Sequence, residues 1–194
     1  MKYLVFCIAA LVAVISPLSA KDYKLPKEKP VFGISFPQKW EVTHEDECIT
    51  GVSADGGIQI YAQTDDAGTI EQSVKDCIDY LVEEGVKLEL DTQKEEDGEH
   101  NGMPMGSIGW KGADKDGPCS VSLIFLQVTE ETTMTLIYWA TDERVKKHQK
   151  DILGVIDSMK SLSKKGKIAE TPKKQKKKKV EEEEAEEGEE AEEE

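Results

Sequence analysis

A chain of 194 residues with a formal charge of −15 suits one domain of ordinary size. The charge is not confined to the glutamate-rich end: residues 21–162 hold 15 Lys and Arg against 28 Asp and Glu, and residues 163–194 hold 9 Lys against 12 Glu. Such a body, with Arg144 as its one arginine, excludes nucleic acid and anionic lipid as partners, because phosphate binding needs clustered Lys and Arg.

Residues 1–20 have the three parts of an export signal. Lys2 supplies a positive start, Tyr3 to Ile15 an apolar run ended by Pro17, and Leu18-Ser19-Ala20 a small residue suited to cleavage. The run is shorter than the roughly 20 residues that cross a bilayer, so no membrane span is expected after removal, and the address is periplasmic or extracellular. Cys7 lies too early to be a lipid-bearing cysteine. Cys48, Cys77 and Cys119 remain, an odd number with three pairings open. Cys77 falls on the apolar side of a predicted helix and reads as a small buried hydrophobe.

Residues 21–30, with four lysines and two prolines, read as an extended leader before a domain spanning 31–162. Val31 to Phe36 alternates with Phe32, Ile34 and Phe36 on one face, the mark of a half-buried strand ended by Pro37. Cys48–Ala54 and Ile58–Gln63 are β-like runs joined by the turn residues Asp55-Gly56-Gly57. From Thr69, a candidate N-cap with Gln72 in capping-box position, Ile70, Val74, Cys77, Ile78 and Leu81 recur at helical spacing up to Gly85. Val86, Leu88 and Leu90 then alternate with charges. Asp97-Gly98 and Asn101-Gly102 mark turns, and Met103–Gly112 is a weaker, glycine-diluted strand. Val121–Val128 and Met134–Trp139 are the most apolar runs after the signal and predict central strands. A second helix starts at Thr141-Asp142 and carries Val145, His148, Ile152, Val155, Ile156, Met159 and Leu162 on one stripe. The order predicts an α+β fold: a twisted antiparallel sheet of about six to seven strands with two amphipathic helices packed on it. Residues 163–194, lysine-rich and then glutamate-rich, hold too little apolar surface to offset ordering entropy and are expected to be a disordered tail, the lysines partly neutralised within the chain.

The segment Phe32 to Trp40, FGISFPQKW, resembles the opening strand and turn of PsbP-like and DcrB-like domains, whose superfamily includes the Ran-binding Mog proteins. Asn101-Gly102-Met103-Pro104 and the closing stretch Ile152–Leu162 are similar to the same pattern, so the resemblance covers about residues 29–162. It implies the PsbP/Mog-like fold. Members serve as photosystem accessory subunits, GTPase-binding proteins and exported proteins of undefined role, so it implies no activity and transfers no catalytic residue.

The residues themselves assemble no recognisable chemistry. Asp114-Lys115-Asp116-Gly117 begins like a calcium loop, but the bidentate glutamate would fall at Phe125. His44-Glu45-Asp46-Glu47-Cys48 concentrates ligand types whose side chains alternate in direction and so do not converge on one ion. His148 lies on an apolar stripe and reads as packed. Gly106-Ser107-Ile108-Gly109 lacks the spacing of a nucleophile elbow. Trp40 and Trp139 read as core, and Trp110, on a glycine-rich strand beside Lys111, is the candidate for an exposed position. No catalytic, cofactor-binding or metal-binding set is assigned. The expected role is that of a non-catalytic exported accessory or protein-binding domain, using its sheet or a strand edge to meet an unidentified protein partner. The alternatives are a small-ligand carrier with a pocket between helix and sheet and, further off, a metal-dependent hydrolase built on His44 and Cys48.

Overall fold

The two most apolar runs become neighbours at the middle of a sheet, where both faces exclude water. The structure, a computed structural model, describes residues 19–66 and 70–163, apart from the side chains of Asp66, Ile70 and Glu71. The expected signal segment up to residue 18, the capping role of Thr69 and the charged segment from 164 onward lie outside the described residues. The strands are β1 (Ala20–Leu25), β2 (Phe32–Pro37), β3 (Glu41–His44), β4 (Cys48–Val52), β5 (Gln59–Asp66), β6 (Lys87–His100), β7 (Met103–Asp114), β8 (Gly117–Gln127), β9 (Thr132–Ala140) and β10 (Lys160–Ser161), with helices α1 (Ile70–Glu83) and α2 (Asp142–Ser158). Seven strands form an antiparallel sheet in the order β3-β4-β5-β9-β8-β7-β6, and β1-β2-β10 form a second sheet of three. The α+β architecture is the one the element order predicts, with the helices divided between two faces.

Side-chain alternation assigns those faces. Ile60 and Ala62 of β5, Leu136 of β9 and Leu126 of β8 join Phe32, Phe36, Ile152, Val155 and Met159, so α2 and the three-stranded sheet cover one side. Ile137 of β9, Leu123 and Val121 of β8 and Trp110 of β7 join Cys77 and Leu81, so α1 covers the other. Burying both faces of β8 and β9 explains why their sequences are near-continuous apolar runs rather than strict alternations.

The helix ends follow their sequence signals. The side chain of Thr141 accepts a hydrogen bond from the Arg144 amide, with Asp142 and Glu143 in the first turn of α2. Past α1, Gly85 adopts φ +81°, the Val86 amide reaches Leu81 O at 2.8 Å and the Gly85 amide reaches Val82 O at 3.0 Å. Val86 and Leu81 are both buried in the same cluster, which completes this helix stop.

Three expectations need correction. The stretch 21–30 is extended but does not precede the domain: β1 pairs with β2 from Ala20↔Pro37 to Leu25↔Phe32, and Leu25 is fully buried. A cut after Ala20 would therefore fall at the first residue of a strand. Asp97-Gly98 is not a turn, because both residues sit in the β6–β7 ladder opposite Gly106 and Met105. Trp110 is not exposed: it is 3% accessible and its Nε1 donates to Gln93 Oε1 at 3.0 Å.

Candidate functional site

The reactive side chains singled out in the sequence are occupied structurally. His44 and Cys48 lie on opposite faces of the sheet: His44 pairs with Ile49, in the cluster under α2, and Cys48 pairs with Gln63, one residue out of phase. His44 Nε2 lies 3.0 Å from Lys24 O, with Tyr23 edge-on to its ring, and burial lowers its pKa. The Cys48 thiol points instead toward Glu45 Oε2 at 3.7 Å. The hydrolase constellation suggested by their nearness in sequence is not assembled. Cys48, Cys77 and Cys119 are all free thiols. Burial pushes all three up, Cys77 to about 12, which keeps them protonated at neutral pH. The side of the sheet beneath α1, where the carrier alternative places its pocket, is packed by Leu81, Val86, Trp110, Val121 and Leu123. Asp114 and Asp116 form the turn before β8, where Asp116 binds Arg144 at 2.6 Å.

His148 is packed, as its place on the apolar stripe predicts, and it is also bonded. Its Nε2 lies 3.1 Å from the Asp55 carboxylate and its Nδ1 lies 4.0 Å from Asp151, which pairs with Lys39 at 3.0 Å. Asp55 further accepts from Lys147, Ser53 Oγ and the Gly57 amide, and these donors, Lys147 first, hold its carboxyl well below the usual range. The network ties α2 to the β4–β5 hairpin and to the turn after β2. Every carboxylate in it has a cation, so it reads as a fastening.

The edges of the seven-stranded sheet are where unpaired backbone remains, and the two differ. The β3 edge is only four residues long, and its end is tied to residues 24–27: His44 Nε2 lies 3.0 Å from Lys24 O, and the Lys27 amide donates to Asp46 O at 2.8 Å. The β6 edge is fourteen residues long, and among the described residues it pairs only with β7.

The sequence of β6, KLELDTQKEEDGEH, is poor in strand-forming residues, so its partner supplies the order. The ladder runs Lys87↔Ala113 to Glu89↔Lys111, breaks, and resumes from Lys94↔Gly109 to His100↔Met103. Four residues of β6, 90–93, thus oppose Trp110 alone in a wide bulge. Thr92 repairs the gap. Its Oγ1 donates to Glu89 O at 2.6 Å and accepts from the Lys111 amide at 2.8 Å. Beyond the bulge, Lys94 to Glu99 are all exposed, so this seven-residue stretch to His100 is held by its ladder rather than by packing. It presents Glu95, Glu96, Asp97 and Glu99 against Lys94.

Its far end is pinned. Asn101 (φ 50°) and Gly102 (φ 79°) make the tight hairpin turn to β7. The Asn101 Nδ2 donates to Met159 O at 2.8 Å and Asp157 O at 3.2 Å, at the end of α2. The Asn-Gly signal is legible in sequence as a turn; its second task, fastening the acidic hairpin to α2, depends on a contact 58 residues away and leaves no local trace. The acidity of 95–99 is equally legible, but its place on a sheet edge is not. That place follows from α1, which carries the chain across the sheet face from β5 to the far side.

No protein-family profile and no curated protein matches the sequence. Solved structures do resemble the fold. Cyanobacterial PsbP (CyanoP) from Synechocystis sp. PCC 6803 aligns over 76% of this chain and 95% of its own at a TM-score of 0.51 and 9% identity. LpqN of Mycobacterium tuberculosis, a protein involved in cell envelope biogenesis, aligns over 73% and 91% at 0.50 and 11%. A protein from Bacteroides thetaiotaomicron aligns over 74% of this chain at 0.51 and 10%, and this chain spans about half of its length, 49%. Among the described residues, no helix is long and apolar enough to cross a membrane. With two helices on an antiparallel sheet in this arrangement, the chain has a PsbP-like α+β fold.

Proposed function

We propose that this chain is an exported, non-catalytic accessory domain that meets a protein partner through the open edge of β6, the partner offering a basic, extended segment. The observation that carries the reading is the stretch Lys94–His100, a strand edge with no neighbour among the described residues and four carboxylates against one ammonium. Exposed edges invite a further strand, and charges on them decide which strand is admitted. An acidic edge repels acidic segments and attracts basic ones, which sets specificity and encounter rate more than affinity.

The non-catalytic part is supported by the use already made of the reactive groups: His44 on Lys24 O, His148 on Asp55, and thiols kept protonated by burial. The export part is supported by the signal-like residues 1–20 and by the role of LpqN in cell envelope biogenesis. The test places a photo-reactive residue at Glu96 in cells that make the protein, with Glu143 on α2 as the control position. A discrete protein adduct is expected from position 96, weakened by salt and missing from position 143. Adducts at neither position, or the same adducts at both, would contradict the reading.

A further inference from the structure

We propose that the lysine-rich segment 164–179 of this same chain docks along the β6 edge, as a resident and salt-sensitive occupant that a partner must displace. The inference rests on reading β6 as the interaction surface and adds what governs access to it.

Charge is the first support. Residues 164–179 hold nine lysines and one glutamate, opposite in sign to the exposed Glu95, Glu96, Asp97 and Glu99. The place where the chain leaves the fold is the second. Asn101, at the tip of the β6–β7 hairpin, binds Met159 O, and Ser161 Oγ donates to Val128 O at 3.4 Å, just past the end of β8 on the same side of the sheet. The chain then runs beside Phe32 and Val31 of β2 and leaves the fold near the end of β8, two strands, or ~10 Å, from the His100 end of β6. Reach is the third. Lys94–His100 is ~23 Å long at ~3.3 Å per residue, and ten residues, ~33 Å when extended, separate Ser163 from Lys173. The edge takes about seven extended residues at a time, and the stretch 173–179, six lysines and one glutamine, is within reach of it. Because β6 runs toward the exit, a segment leaving there and turning back along it runs antiparallel, as all pairs in this sheet do.

Single exposed ion pairs contribute little, but a short tether keeps the lysines at an effective concentration on the order of millimolar. The attraction is screened as the Debye length falls from ~10 Å at ~0.1 M salt to ~3 Å at ~1 M.

Carbodiimide, which joins ammonium and carboxylate groups only in direct contact, tests the proposal in the purified intact chain. At low salt, links from residues 164–179 to Glu95, Glu96, Asp97 and Glu99 are expected to exceed links to Glu41, Glu45 and Glu47 several-fold, and to fade at high salt. Links confined to Glu181–Glu194, or spread evenly over the acidic surface, would overturn it. A second readout uses the triple variant E95Q/E96Q/E99Q, whose changes are all at exposed side chains. Trypsin should cut at Lys173–Lys179 several-fold faster in this variant than in the wild type at low salt and equally fast at high salt; equal rates at low salt would also overturn it. Both assays lack any partner, so their failure leaves the edge free for one, whereas a failed cellular adduct alongside positive results here would refute the partner and keep the occupant.

Discussion

The two edges of the seven-stranded sheet solve one problem in different ways. At β3 the strand is only four residues long, and its far end is tied to residues 24–27: the His44 ring nitrogen bonds to Lys24 O, and the Lys27 amide donates to Asp46 O just past the strand. At β6 no described segment lies alongside, and the strand is guarded by its bulge and its carboxylates. A short edge offers few backbone groups to a further strand. On the reading proposed above, a long edge guarded by charge is closed selectively and admits basic segments.

The largest effect on this contrast is expected from Gly112→Ala. A Cβ there would stand 2.5 Å from Lys87 O, so the start of β6 has to part from β7. Overpacking of this kind costs about 1–3 kcal/mol. Denaturant unfolding should show that loss, and hydrogen exchange should place it at 87–89 while 41–44 stays unchanged. Equal loosening of both edges would mean that they are not independent.

A smaller loss, on the order of 1 kcal/mol, is expected from Asn101→Ala, which removes the hydrogen bonds to Asp157 O and Met159 O and leaves a non-glycine residue at φ 50° without its side-chain support. The effect should appear as faster exchange at the hairpin tip and at the end of α2 together. Faster exchange at only one of the two would show that the tether does not couple them.

The smallest effect concerns the β3 side, where Asp55 fastens the β4–β5 hairpin to α2. Its carboxyl is held below the ordinary value of 3.8, chiefly by Lys147 and then by Ser53 and Gly57. A carboxyl depressed in the folded state stabilises that state at pH values above 3.8, and the contribution is lost as acid protonates it. The unfolding midpoints of wild type and Asp55→Asn should therefore differ at pH 7 and converge as the pH falls below 3.8. A gap that widens in acid would reverse the sign of this account.

Much of this fold is legible because apolar residues declare their environment locally. The stripes Val74–Cys77–Leu81 and His148–Ile152–Val155 announce two helices, and the runs through Leu123–Leu126 and Met134–Ile137 announce central strands. Polar stretches are harder to read, because their conformation is decided by the neighbour. Asp97-Gly98 has turn chemistry, yet the ladder to Gly106 and Met105 keeps it extended. Residues 21–30 read as an extended leader, yet β2 recruits residues 20–25 because alternate positions bring Leu25 and Tyr23 onto the core. Trp110 looked like a surface residue beside Lys111, yet α1 covers that face and Gln93, from the bulge, accepts its indole proton. The candidate site follows the same rule: its charges are plain in the sequence, and its openness is a property of strand order.

The claim that matters most is that β6, and not β3, is the open edge. Amide chemical shifts measured while an extended lysine-rich peptide is added test it directly, using the intact chain with all nine lysines of residues 164–179 changed to glutamine so that the native lysines do not compete. Shifts should concentrate at residues 94–100, disappear at high salt and spare 41–44. Shifts centred on 41–44, or none at 94–100, would contradict it.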